Sequence, residues 1–150
     1  MQHLTDAAGG SALREAGLLA LPVYDTVPAG LFKDANLVLD TDDVPQLVVS
    51  AAEANHDPRA FGLVVQGDSM VEAGILDGDV LIVSPASRVQ SGDIAVVLVN
   101  QTASTVKKVY IENGRLILQP ANHRYRPEVL GYPEEAEILG KVVQVRRRID

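Results

Sequence analysis

Between Phe61 and Arg146 the chain breaks into short apolar runs rich in β-branched residues, each closed by a turn signal, a cadence that suits strands and leaves little room for helices. The runs Phe61 to Gln66, Val80 to Ser84, Ile94 to Asn100, Thr105 to Ile111, Leu116 to Gln119 and Ile138 to Arg146 read as strands. Asp77-Gly78, Ser91-Gly92 and Asn113-Gly114 lie between them. Asn113-Gly114 is a strong hairpin signal, because a type I′ turn places both central residues at positive φ. The expected fold is mainly β, with twisted, mostly antiparallel sheets and few short helices. Aromatic residues make up 4% of the chain against 47% hydrophobic residues, so the core has to be built from Val, Leu, Ile and Ala.

A length of 150 residues suits one domain with an appended segment. Residues 1–20 read as a linker or tail, since Met1 to Ala16 contain Ala7-Ala8-Gly9-Gly10-Ser11 and no sustained apolar periodicity. Residues 21–60 read as a connecting segment and residues 61–150 as the core. From Leu18 to Leu31 the chain is apolar but punctuated by Pro22, Pro28 and Gly30, which suits an extended strand or loop. Asp40-Thr41-Asp42-Asp43 lacks the Gly and the distant Glu of a calcium loop and reads as a solvated turn.

Thirteen basic against 20 acidic residues give a net charge of -7, which opposes binding of a polyanion by this chain alone. The basic cluster Arg146-Arg147-Arg148 reads as a solvated strand end. Without cysteine there is no disulfide, thiolate catalysis or Cys-ligated metal. His3, His56 and His123 are scattered without ligand spacing, so neither a metal nor another cofactor is expected. No apolar run approaches a membrane span and no signal-peptide pattern is present, which predicts a cytoplasmic protein with no membrane partner.

Chemistry is concentrated in Gly67-Asp68-Ser69-Met70 and Thr105-Val106-Lys107. A serine hydroxyl needs a neighbouring base to become a nucleophile, and a neutral lysine amine can serve. Val27-Pro28-Ala29-Gly30 offers a small-residue peptide bond that such a pair could cut in the same chain. Ser69 also has a purely structural reading: Ser69-Met70-Val71-Glu72 fits a capping box at a helix start. Lys107 and Lys108 project to opposite faces of a strand, and periodicity does not say which is buried. Burial beside a serine would lower the lysine pKa and supply a base.

Taken together, these segments resemble the LexA and UmuD family of self-cleaving Ser-Lys proteins. Val65-Gln66-Gly67-Asp68-Ser69-Met70 resembles the nucleophile segment, Gly74-Ile75-Leu76-Asp77-Gly78-Asp79 the turn after it, Thr105-Val106-Lys107-Lys108-Val109 the base strand, and Leu118-Gln119-Pro120-Ala121-Asn122 a downstream segment. Leu21-Pro22-Val23 through Val27-Pro28-Ala29-Gly30 is similar to the LexA cleavage segment. The resemblance implies a signal-peptidase-like β fold, with Ser69 as nucleophile, Lys107 rather than Lys108 as general base, and the backbone N–H groups of Ser69 and Asp68 as oxyanion donors. It further implies scission between Ala29 and Gly30 promoted by a RecA-nucleoprotein filament. A homodimer formed through C-terminal strands near Ile138 to Val145 and contact with DNA only through a domain absent from this chain also follow. A LexA-type repressor without its DNA-binding domain is the favoured reading. A UmuD-like accessory subunit of a translesion polymerase, or a β-rich oligomerisation module in which Ser69 is only a cap, are the alternatives.

Overall fold

The computed structural model describes residues 10–27 and 44–149. Strands β1 (Leu18–Tyr24), β2 (Gln46–Ser50), β3 (Phe61–Val64), β4 (Val80–Ser84), β5 (Ile94–Val99), β6 (Ala103–Glu112), β7 (Arg115–Gln119), β8 (Glu128–Gly131) and β9 (Ala136–Arg146) form one sheet. Among the described residues its order is β2-β1-β3-β4-β9-β5-β6-β7-β8, and neighbours pair antiparallel except β1 with β3. The mainly β, mostly antiparallel expectation therefore holds.

Strand β9 is last in the chain yet central in the sheet. Its first half pairs with β5, Val99 facing Ala136 through Ala95 facing Lys141, and its second half with β4, Ser84 facing Lys141 through Val80 facing Arg146. A register shift on each side accommodates this change of partner. Gly140 makes the crossing possible, because a Cβ there would lie 2.7 Å from Val83 Cγ1 and 3.2 Å from the backbone at Pro85.

Central strands carry continuous apolar runs because both of their faces are covered. In β4, Leu81 and Val83 enter a core with Tyr24, Phe61, Leu63, Met70 and Ile75, whereas Ile82 joins Leu21, Val49, Ala54 and Ala60 on the other side. In β5, Val96 joins the first core, and Ala95 and Val97 pack with Val109, Leu116, Leu118 and Leu130. The first core lies directly beneath the turn that carries Ser69, through Met70 and Ile75.

Several local expectations differ from the structure. Residues 10–15 form a helical turn inside the segment read as a tail, too short for apolar periodicity to reveal it. Strands β2 and β8 occupy segments for which no strand was expected; each is short, at an end of the sheet, with a single buried residue, Val49 and Leu130 respectively. Asp40-Thr41-Asp42-Asp43 lies outside the described residues. The basic cluster is not simply a solvated strand end: Arg147 is bound to Asp79 at 2.7 Å, and Arg146 lies 3.7 Å from Glu53.

Candidate active site

Ser69 stands in the connection between β3 and β4. Two backbone bonds extend the pairing of those strands past their ends, Val65 N–H to Asp79 O at 2.8 Å and Gly78 N–H to Val65 O at 2.9 Å. Gly67 then turns the chain at φ +88, a region that penalises any side chain, and donates its N–H to Asp77 Oδ1 at 2.8 Å. Arg147 secures the far side of this turn: its Nε and Nη2 donate to the two Asp79 oxygens at 2.7 Å each, and Nη2 also donates to Gly74 O at 2.8 Å.

The capping-box reading of Ser69 fails. The 3₁₀ turn at Val71–Ala73 is preceded by Met70 and has no side-chain cap. The Glu72 N–H that Ser69 would have capped donates instead to Ala121 O at 2.8 Å. Glu72 itself reaches across to His123, taking the backbone N–H at 3.0 Å and Nδ1 at 2.6 Å. Those bonds hold the Glu72 carboxyl below its ordinary pKa, the backbone bond contributing most.

Freed from capping, the Ser69 hydroxyl lies 3.0 Å from Lys107 Nζ, across 38 positions of sequence. Lys107 Nζ also donates to Thr105 Oγ1 at 2.7 Å and to Val106 O at 3.1 Å. Burial pushes the Lys107 pKa below its ordinary value, against a smaller opposing effect of the Glu128 charge. An ammonium supplies three protons to these acceptors. A neutral amine has two, which Thr105 and Val106 accept, leaving its lone pair toward the Ser69 O–H. The arrangement is therefore suited to removing the hydroxyl proton.

Asp68 supplies the next contacts. Its carbonyl accepts from Asn122 Nδ2 at 2.9 Å and from Val71 N–H at 3.2 Å, and its carboxylate accepts from Tyr125 O–H at 2.6 Å. No acceptor among the described residues takes the N–H of Asp68 or of Ser69. Two such donors beside a serine hydroxyl could hold a developing oxyanion.

Ser69 and Lys107 line a cleft of about 160 Å³ whose walls also include Asp25, Thr26, Gln66 and Thr105. Gln66 Nε2 donates to Asp25 O at 3.2 Å, which ties the chain leaving β1 to the segment that leads to Ser69. Ala29 and Gly30 lie outside the described residues. A larger hollow of about 270 Å³ beside Tyr132 to Ile138 holds no serine and no lysine. Among the described residues no cluster of His, Asp and Glu could hold a metal, and no helix is long and apolar enough to cross a membrane.

The contacts of Thr105 with Lys107 and of Asn122 with Asp68 were not foreseen, nor were the bonds by which Tyr125 and Arg147 brace the turn from outside the cleft. Thr105 and Asn122 lie in segments with family resemblance, but no spacing rule connects Asn122 with Asp68, 54 positions earlier.

The sequence pattern described as peptidase S24-like matches residues 22–143, a span that contains Ser69, Lys107 and the contacts of Asp68, Glu72 and Lys107, with Arg147 lying beyond it. The chain belongs to the peptidase S24-like family. Similar relatives of this peptidase S24-like chain include a LexA repressor of Clostridium perfringens, 38% identical over 133 residues, covering 89% of this chain and 62% of the relative. A LexA repressor of Gluconacetobacter diazotrophicus is 35% identical over 141 residues, 94% of this chain and 53% of the relative. Another, from Pseudothermotoga lettingae, is 36% identical over 135 residues, 90% and 65%. The peptidase S24-like chain is thus LexA-like over most of its length, while spanning between about half and two-thirds of these relatives.

Proposed function

We propose that this chain is the self-cleaving serine endopeptidase domain of a LexA-type SOS repressor, cutting its own Ala29-Gly30 bond with Ser69 as nucleophile and Lys107 as general base. The observation that carries this reading is the 3.0 Å contact of Lys107 Nζ with Ser69 Oγ in a cleft that also contains Asp25 and Thr26 of the same chain. Strand pairing supports it: Tyr24, the last residue of β1, faces Leu63 of β3, so the chain leaving β1 starts out beside the strand that leads to Ser69.

In the proposed reaction neutral Lys107 takes the hydroxyl proton while Ser69 Oγ bonds to the Ala29 carbonyl carbon. The N–H groups of Ser69 and Asp68 hold the resulting oxyanion. Collapse breaks the carbon–nitrogen bond, and the Lys107 proton goes to the departing Gly30 amine. Water then hydrolyses the Ser69 ester, with Lys107 again as base, to leave a carboxylate at Ala29. Tethering the substrate supplies a high effective concentration, so control falls to conformation. A RecA-nucleoprotein filament would favour the competent arrangement, in the cytoplasm. The repressor would reach DNA through another domain and dimerise through β9, whose stretch beyond Lys141 has no strand on its β5 side among the described residues. Similarity to LexA repressors favours this reading over a UmuD-like polymerase subunit.

The test is incubation of the purified chain at mildly alkaline pH, with and without activated RecA, followed by fragment mass measurement. Scission after Ala29 is expected, abolished by Ser69→Ala and by Lys107→Ala and retained by Lys108→Ala. Cleavage that survives Lys107→Ala would overturn the base assignment.

A further inference from the structure

We infer that Asn122 is a positioning residue for the oxyanion donor of Ser69, an inference that rests on the Ser-Lys peptidase reading above. The argument is one of peptide geometry. The Asp68 carbonyl and the Ser69 N–H belong to the same peptide plane, and in a trans peptide they point in opposite directions. Whatever fixes the direction of the carbonyl therefore fixes that of the N–H. Asn122 Nδ2 donates to this carbonyl at 2.9 Å, closer than the 3.2 Å bond from Val71 N–H.

Asn122 is itself held rigidly. It is 6% exposed, its Oδ1 accepts from Arg124 N–H at 2.9 Å, and its own carbonyl accepts from Tyr125 N–H at 3.1 Å. Both ends of its amide are used, one to build its own turn and one to steer the Asp68-Ser69 plane. Tyr125 grips the same residue in a different way: its hydroxyl meets the Asp68 carboxylate, which lies outside that plane and leaves the direction of the N–H unset. Asn122 is likewise absent from the contacts of Lys107, which are Ser69, Thr105 and Val106. It should affect stabilisation of the intermediate and leave the proton affinity of the base alone.

The experiment measures first-order self-cleavage of the full chain from pH 6 to 11 for the parent, Ser69→Ala, Asn122→Leu, Asn122→His and Tyr125→Phe. Loss of one oxyanion donor costs about 100- to 1,000-fold in rate, and misdirecting one should cost at least about 10-fold. The expected result is a plateau lowered at least about 10-fold in Asn122→Leu with an unchanged pH midpoint, and a Tyr125→Phe rate within about threefold of the parent. Asn122→His keeps an N–H donor at the same branch point and should exceed Asn122→Leu. A space-filling role would reverse that order, because leucine matches the shape of asparagine better. Equal losses in Asn122→Leu and Tyr125→Phe, a shifted midpoint, or a His variant no faster than the Leu variant would each overturn the assignment. If Ser69→Ala is inert, the parent cleaves and Asn122→Leu cleaves within threefold, this inference alone fails. A parent that never cleaves, or a Ser69→Ala variant that does, sinks the peptidase reading and this inference with it.

Discussion

Replacing Arg147 with alanine should destabilise the fold by about 2 kcal/mol, a figure bracketed by the exposure of its two partners. Asp79 is 1% exposed and Arg147 44%. Removing one member of a fully buried pair costs about 3–5 kcal/mol, because the survivor is left charged and dry. Fully exposed pairs contribute below about 1 kcal/mol. Asp79 retains the Leu76 N–H at 2.7 Å, and water can enter where the guanidinium stood, so the loss falls between these limits. For a domain of this size, 2 kcal/mol lowers the melting temperature by about 4–8 °C. Urea unfolding followed by circular dichroism gives the free-energy difference directly. The pH dependence provides an independent check. The Arg147 hydrogen bonds, foremost among the causes, hold the Asp79 carboxyl below its ordinary pKa. A depressed carboxyl contributes stability above its unfolded pKa, about 3.9, and that contribution is lost as pH falls through the folded value. Parent and variant should differ fully at pH 7 and converge below about pH 4. Adding Asp79→Asn to the variant should recover part of the loss, since the remaining group no longer carries charge. A difference under about 0.5 kcal/mol at pH 7, or one that persists unchanged into acid, would show that Arg147 is a surface charge and not a clamp.

Other outcomes follow from contacts elsewhere in the fold. Self-cleavage should accelerate with pH and level off below 10.5, the ordinary lysine value, because burial favours the neutral Lys107 amine; a rate still climbing at pH 11 contradicts this. Since the unfolded chain then binds more protons between the two pKa values, the stability of the parent relative to Lys107→Met should rise with pH across that window. Asp57→Asn should cost about 1–3 kcal/mol in urea unfolding. This buried carboxylate accepts from Ser84 Oγ at 2.7 Å, Ala86 N–H at 2.8 Å and Arg59 N–H at 2.8 Å, and an amide nitrogen cannot replace an acceptor. Burial alone would raise its pKa, but those bonds and the Arg59 charge prevail and lower it. Gly67→Ala meets no atom within 4 Å and should cost only the positive-φ penalty, about 1 kcal/mol. Gly140→Ala must displace Val83 and should cost about 1–3 kcal/mol, part of it recovered by adding Val83→Ala; equal losses at the two glycines would contradict the packing of β9 against β4.

The strands of the core were legible because each carries several apolar residues between turn signals. Val80 to Ser84 was read with its observed limits, and Ile94, Thr105 and Leu116 fall within a few residues of real strand starts. Strands β2 and β8 were not legible, since one buried residue apiece gives no period and their pairing is supplied by β1 and β7. Ser69 was ambiguous for a local reason: its tetrapeptide fits a cap equally well. The ambiguity is resolved by Ala121, a residue remote in sequence that occupies the Glu72 N–H. Alternation could not choose between Lys107 and Lys108, because the difference lies in which amine meets a hydroxyl from another segment. Arg147 looked like one of three solvated charges until Asp79, 68 positions earlier, was placed beside it.

The central place of the final strand has a consequence for the order of synthesis. Ser69 belongs to the part of the sheet before β9 and Lys107 to the part beyond it; β4 and β5 share a core through Leu81, Val83 and Val96, but each pairs with β9 and not with the other. A ribosome makes these two parts first and the strand that joins them last. Until Ala136 to Arg146 have emerged, the strand that joins the Ser69 part of the sheet to the Lys107 part is missing. If Ser69 and Lys107 cut as proposed, a growing chain is thereby kept from assembling the pair early, and nascent chains arrested before Ala136 should stay inert at any pH.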